Sequence, residues 1–343
     1  MDSNVLRKEQ HLSISLNKSI NPSGANNGLS AYRFIHQALP EADLKKIDTS
    51  VNFMGKKLRL PLMISPLVGG MRQGTKINHI LAEAAGKKGI AMGVGSQRVA
   101  IGDENMAETY RVRDIAPGIL LFANLGAVQL NYGYGLQQCR DAVNMIGADA
   151  LMLHLNCLQE AFQPEGNHNF SGLADLIARV CSRMDTPVLA REVGLGISSQ
   201  AAGMLIDAGV AGIDAAGSGG TSWIAVERHR NGNPVLKKVA CQFEQWGIST
   251  AESIAMVRSK SRDIPLIASG GIRDGLEVAK SIALGADIAG IGLPMLKKAN
   301  MSVRALTDYI HEIETGLRIA MFGIGAVNIA QLKNTKHIVK AGQ

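Results

Sequence analysis

Long apolar runs, clustered cysteines and blocks of like charge are all missing from this chain. No window approaches ~18 uninterrupted apolar residues, so no transmembrane helix is expected. The N-terminus, MDSNVLRKEQHLSISLNKS, has no apolar core of signal-peptide length. Cysteine numbers only four, Cys139, Cys157, Cys181 and Cys241, with no CxxC pair among them. That excludes a disulfide framework and a zinc site, and reads as reduced thiols in a cytosolic protein. Lys and Arg outnumber Asp and Glu by 36 to 29, a formal charge of +7. No basic block and no aromatic-interleaved basic strip accompanies that charge. Nucleic acid is therefore a poorer partner than a small phosphorylated ligand, with solubility as the plain alternative. Aromatics are scarce as well, at 4%.

Glycine is abundant instead, 38 of 343 residues, and hydrophobic residues make up 46%. The second figure describes a globular chain with ample core. The first suggests a backbone that repeatedly approaches a ligand. Residues 1–59 read as an irregular N-terminal extension. Arg7, Lys8 and His11 fall in a short helix, with Arg7 and His11 on one face. They could close over an anionic substrate, or belong to a solvated arm. NPSGANNG (21–28) reads as a loop.

From residue 60 a rhythm appears, and residues 60–343 read as one unit. Short apolar runs recur about every thirty residues, each followed by a polar or glycine corner and a helical pattern. They are LPLMISPL (60–67), GIAMGVGS (89–96), ILLFANLG (119–126), ALMLHLN (150–156), PVLAREVG (187–194), GIDAAGS (212–218), IPLIASGG (264–271) and DIAGIGLP (287–294). Nearly continuous apolar runs suit parallel strands buried on both faces. Eight strand–helix units make a (β/α)8 TIM barrel. A doubly wound open sheet is the alternative, disfavoured because no GxGxxG opens the first unit.

Chemistry in such a barrel sits at the strand ends. The fourth run ends on His154, Asn156, Gln159 and Glu160, a base, two amides and a carboxylate that suit a pocket floor better than a core. SGGIRDG (269–275) and GIGLP (290–294) are glycine corners where backbone N–H groups can hold phosphate, with Arg273 in reach. A ligand-free glycine turn is the alternative.

RKxxH (7–11), ISxxxGG (64–70), VGSQR (94–98), FANLGAVQLNYGYG (122–135), LHLNxLQExxQPEG (153–166), EVGxGIS (192–198), GGTSW (219–223) and WGIxTAES (246–253) together resemble the type 2 isopentenyl-diphosphate isomerases, a flavin-dependent barrel family. The resemblance implies FMN in reduced form, NADPH as reductant, Mg2+ on the substrate diphosphate and a cytoplasmic homotetramer or homo-octamer. It implies that isopentenyl and dimethylallyl diphosphate are interconverted. Arg7, Lys8, His11, Ser96, Gln97, Arg98 and Gln159 would hold substrate, and Glu160 would ligate Mg2+. His154, Asn156 and Gln159 would be the catalytic group. FMN would meet Pro66, Leu67, Val68, Ser96, Asn124, Arg191, Thr221, Gly271, Ile272, Arg273, Gly292 and Leu293.

The chain departs from that pattern at Leu67-Val68, where a Met-Thr pair is usual, at Arg191, where lysine is usual, and at Asn167, where aspartate is common. A hydroxy-acid oxidoreductase using FMN, and a barrel that binds without turnover, are the two rival readings. The tail after about residue 299, with AMFGIGAVNIAQL (320–332), reads as a final apolar helix covering the barrel or joining subunits.

Overall fold

The computed structural model describes residues 3–20 and 26–342. Most of the expected loop at 21–28, residues 21–25, lies outside the described residues. Each of the eight apolar runs contains one strand: β1 (Leu62–Ile64), β2 (Ala91–Gly93), β3 (Leu121–Gly126), β4 (Ala150–Leu155), β5 (Val188–Glu192), β6 (Gly212–Asp214), β7 (Leu266–Ser269) and β8 (Ile288–Ile291). Neighbours pair in parallel in chain order, and β8 pairs with β1, so the sheet closes into a barrel.

Side chains on a strand alternate between faces. Outward residues such as Leu62, Ile64, Leu151, Leu153, Val188 and Ala190 pack against the surrounding helices. Inward residues make a separate apolar cluster that includes Met63, Ala91, Phe122, Met152, Leu189, Ile267 and Ile288. Two residues further along each strand the same inward register holds Ser65, Gly93, Asn124, His154, Arg191, Ser269 and Gly290. The barrel interior therefore changes from apolar to polar in one step toward the strand ends.

The opposite end is plugged. An antiparallel hairpin, Val51–Phe53 with Lys56–Leu58, puts Phe53 and Leu58 into the interior cluster. Its two-residue turn needs positive φ at both positions, supplied by Met54 (φ 48°) and Gly55 (φ 79°). The last part of the N-terminal extension is thus barrel floor. Its first part is a helix, Ser3–Asn17, which lies against the helices Trp223–Arg230 and Leu293–Ala299 near the mouth.

One clamp is built twice where strands begin. Arg113 donates Nη2 to Asp149 Oδ2 (2.8 Å), Nε to Gly147 O (3.0 Å) and Nη1 to Ile119 O (2.9 Å). Arg258 does the same to Asp287 (2.9 Å), Gly285 O (2.7 Å) and Ile264 O (2.7 Å). Each carboxylate also accepts the N–H that opens the preceding strand, Leu121 or Leu266, both at 2.8 Å. A lysine completes each set, Lys56 on Asp149 and Lys333 on Asp287. The two clamps lie four strands apart, at the face of the barrel that serves stability.

The C-terminal region is more divided than the expected single helix. After Leu293–Ala299 comes a long helix, Val303–Gly323, packed on the helices Arg72–Lys88 and Gly275–Ala283 as the barrel's eighth. A break at Gly325 (φ 73°) separates it from the short helix Ile329–Lys333. The strand Ile338–Lys340 then pairs with Tyr32–Phe34. The tail covers the barrel wall and ties the extension to it. Among the described residues no helix is long and apolar enough to cross a membrane.

Candidate active site

Two clefts open at the strand ends. The first, about 710 Å³ with open solvent included, is lined by Arg7, Lys8, His11, Pro66, Ser96, Arg98, Asn124, Gln129, His154, Asn156, Gln159 and Glu160 among others. The second, about 1150 Å³ on the same measure, is lined by Ser65, Thr221, Ser269, Gly270, Gly271, Ile272, Arg273, Gly292, Leu293, Lys297 and Lys298 among others. Four residues line both: Leu67, Arg191, Val193 and Trp223.

The first cleft is cationic. The helix Ser3–Asn17 brings Arg7 and Lys8 to Arg98, which follows β2. Lys8 donates to Ser96 O (3.2 Å). Burial, then the charges of Arg7 and Arg98, push the Lys8 ammonium down to about 7. Burial and then Arg98 lower Arg7 as well. Cations crowded this way repel one another, and an anion placed among them relieves that cost.

Glu160 is the one carboxylate in the lining of this cleft. It sits in the helix Cys157–Phe162, directly after β4, and is buried. Its Oε1 accepts from Asn156 Nδ2 (3.0 Å), and its Oε2 from Asn167 N (2.6 Å) and Gln163 Nε2 (3.4 Å). Three of about four acceptor positions are thus used. Asn156 Oδ1 beside it is buried and has no partner. Among the described residues no group of three or more His, Cys, Asp and Glu could hold a metal. Mg2+ is typically held by one or two carboxylates with substrate phosphates and water. Glu160 with the orphaned Asn156 oxygen fits that donor set.

His154 stands next to last in β4, on the inward register. Asn124 gives Nδ2 to Val94 O (3.1 Å), so its Oδ1 faces His154 Nδ1 at 2.9 Å. His154 therefore carries its proton on Nδ1 and leaves the Nε2 lone pair free. Burial, then Arg191 and the three cations, push the imidazole down to about 3. It is neutral at pH 7 and is no acid there.

Several residues act differently from a plain cleft lining. Gln97 is fully buried, with Nε2 on Ala142 O (2.8 Å) and Oε1 accepting from Asn124 N (2.9 Å). It lines neither cleft and braces Asn124. Val68 lines a small side cavity with Lys8, His11 and Leu12. Ile272 is buried although it borders the second cleft. Arg98 donates to Asn167 Oδ1 (3.1 Å), so the departure at 167 leaves Arg98 beside a neutral amide. Arg273 bonds Gly271 O and Gly219 O, tying the corners after β7 and β6 together.

Two functional positions, Glu227 and Asp214, escaped the sequence reading. Glu227, fully buried, accepts from His11 Nε2 (2.8 Å) and Gln159 Nε2 (3.3 Å), and pairs with Arg230 (2.5 Å). Burial raises the Glu227 carboxyl, but the His11 bond and Arg230 outweigh it and hold it below the usual range. The signal was helical spacing: Trp223, Glu227 and Arg230 stand at i, i+4 and i+7, one face of a helix. Asp214, at the end of β6, was hidden inside an apolar run.

The second cleft tests whether FMN fits. A Cβ on Gly270 would lie 2.0 Å from Gly217 O, and one on Gly271 2.5 Å from Gly219 O. The two corners can meet only as glycine, and they leave backbone and Arg273, Lys297 and Lys298 along the cleft. Ser65 Oγ, in the same lining, is buried without a partner. A wall of backbone dipoles and cations suits a phosphate-bearing ligand.

Residues 11–112 and 137–340 match the family described as FMN-dependent dehydrogenase. Isopentenyl-diphosphate delta-isomerase of Nostoc sp. is 49% identical over 329 residues, 96% of this chain and 94% of that protein. The Synechococcus sp. protein of the same name is 48% identical, covering 92% of this chain and 91% of its own. The Rickettsia canadensis one is 45% identical, covering 96% of each. Among solved structures, a lactate oxidase of Pediococcus acidilactici has a TM-score of 0.67 at 17% identity, covering 98% of this chain and 88% of its own. A flavocytochrome b2 variant has a TM-score of 0.69 at 14% identity, covering 97% and 83%. These two likenesses show the shared barrel alone.

Proposed function

The chain belongs to the isopentenyl-diphosphate delta-isomerase family, and from that premise we propose that it interconverts isopentenyl and dimethylallyl diphosphate. One observation carries the reading: a cleft of three cations and one carboxylate meets a glycine-walled cleft at Arg191. The first suits a diphosphate with Mg2+, the second FMN, and the two ligands would touch where the clefts join.

Moving a double bond by one carbon adds a proton at one carbon and removes one from another. His154 is neutral at pH 7, and burial lowers His11 too. Neither offers a strong acid for an unactivated alkene. Reduced FMN would supply both acid and base, with the protein left to position and polarise. Arg7, Lys8 and Arg98 neutralise the diphosphate, and Glu160 with Asn156 Oδ1 would hold the Mg2+. Ser96 and His11 border the same pocket. Gln159 is oriented from both ends: its Nε2 donates to Glu227 (3.3 Å) and its Oε1 accepts from Asn156 (3.3 Å). An amide fixed this way can hold or pass a proton beside the reacting carbons. Asn124 keeps the His154 lone pair turned to the cleft, which Trp223 and the Ser3–Asn17 helix also line. On the flavin side, Leu67, Thr221, Gly271 to Arg273, Gly292 and Leu293 would form the wall, with Pro66 at the junction through its bond to Arg191. Gln97 would act on the site through Asn124.

The finer expectations rest on the resemblance: NADPH as reductant, a homotetramer or homo-octamer, and a cytoplasmic setting. The reading is tested by incubating the purified protein anaerobically with FMN, dithionite, Mg2+ and isopentenyl diphosphate. Dimethylallyl diphosphate in the NMR spectrum supports it. A flavin-loaded protein that forms none, yet oxidises a hydroxy acid with an artificial electron acceptor, replaces it with the oxidoreductase reading.

A further inference from the structure

Of the four residues that line both clefts, only Arg191 is charged. Its surroundings are specific. Arg191 Nη1 donates to Pro66 O (3.1 Å). Its Nε lies 3.1 Å from Asp214 Oδ2, an ion-pair distance, but at an angle that leaves both atoms without a hydrogen bond. Asp214 has no exposed surface, and its Oδ1 accepts from Ser269 Oγ (2.6 Å). Ser269 and Asp214 end adjacent strands, β7 and β6, so the carboxylate is fixed by the barrel itself.

We propose that Asp214 is a positioning residue that sets how much of the Arg191 charge reaches the flavin, and so sets the flavin's reduction potential. The proposal rests on the FMN reading above and adds a residue to it. Taking up two electrons and one proton leaves a flavin ring with one negative charge more than before. A guanidinium in the wall favours that form. A buried carboxylate 3.1 Å from the guanidinium opposes it, since a low-dielectric interior screens neither charge well. Burial pushes the Asp214 carboxyl up while Arg191 pulls it back.

The pair also fits the departure at this position. A lysine would place one compact charge, free to rotate. The arginine fork binds Pro66 O with one arm and faces Asp214 with another, so its orientation is dictated by two neighbours. Nη2 has no hydrogen-bond partner among the described residues and is the arm left for a ligand.

The test measures the two-electron midpoint potential of bound FMN by dithionite titration against reference dyes, with FMN affinity followed by fluorescence quenching. Asp214→Asn removes the opposing charge and keeps the shape. We expect its potential to rise by at least ~30 mV, a tenfold gain in the preference for reduced over oxidised flavin. Arg191→Gln should lower the potential. In the Arg191→Gln background, Asp214→Asn should add little, because a buried carboxyl without its cation takes up a proton and has no charge left to remove. If Asp214→Asn does not fold, Ser269→Ala loosens the carboxylate while leaving the pair, and a smaller rise is expected. An unchanged potential in a folded, FMN-loaded Asp214→Asn or Ser269→Ala protein overturns the proposal while leaving the FMN reading intact. Additive effects of the two substitutions overturn it as well. Wild-type protein that binds no FMN overturns both.

Discussion

Lys8 should make anion binding fall away above neutral pH. In the free protein its ammonium is held at about 7 by burial and by Arg7 and Arg98. A diphosphate among these cations restores the charge and returns the pKa toward its ordinary ~10.4. Binding then takes up one proton above pH 7, and affinity drops about tenfold per pH unit. Between pH 6 and 9 the loss is about 100-fold, or ~2.7 kcal/mol. The assay is calorimetric titration of isopentenyl diphosphate into wild type and Lys8→Gln without flavin. Ionisation of the ligand is common to both proteins and cancels in their affinity ratio. That ratio should shrink by about 100-fold from pH 6 to 9. A ratio independent of pH would refute the reasoning, because Lys8 would then be fully charged or fully idle throughout. The sign for stability runs the other way. The folded pKa lies below the unfolded one, so the cost of Lys8 to the free protein is full below about 7. It is relieved as pH rises toward the unfolded value, and stability climbs across that window.

Three further outcomes follow from the geometry. Glu160→Gln keeps the side chain's shape but removes its charge and one of its two acceptor oxygens, so Mg2+-dependent turnover should vanish. Retained Mg2+ activation in initial-rate measurements would remove Glu160 as the ligand. Glu227→Gln should loosen Gln159 and His11 together, cutting kcat by ~100-fold, in the range of lost proton-transfer assistance, with little change in KM; a change confined to KM would place Glu227 in substrate binding instead. Asp149→Ala breaks one strand-start clamp, leaves Arg113 with carbonyl partners only and unpairs the Leu121 N–H, and should cost about 2 kcal/mol, the modest value fitting a carboxylate that is partly exposed. Urea unfolding reads it, and activity at low temperature should be unchanged.

Much of this architecture is visible in the sequence for a physical reason. A strand buried on both faces must be apolar at every position, and eight such runs with polar ends describe a barrel. The same property conceals what lies inside. Asp214 sits within a run that reads as core, and only its register beside Arg191 and Ile267 shows that it belongs to the barrel interior. Glu227 lay outside the strand ends, on a helix whose inner face points back at Gln159. Gln97 has a residue type suited to substrate, yet Ala142 O and Asn124 N–H claim both ends of its amide. The hairpin plug and the pairing of Ile338–Lys340 with Tyr32–Phe34 join distant parts of the chain, and short strands of three residues carry little periodicity to announce them.

We infer that flavin and Mg2+ act together on one bound diphosphate where the two clefts join. This is tested most directly by a four-way NMR assay in D2O: FMN oxidised or reduced, each with and without Mg2+, on isopentenyl diphosphate. Dimethylallyl diphosphate, with deuterium incorporated, is expected only when the flavin is reduced and Mg2+ is present. Isomerisation with oxidised flavin, or undiminished isomerisation without Mg2+, would contradict it.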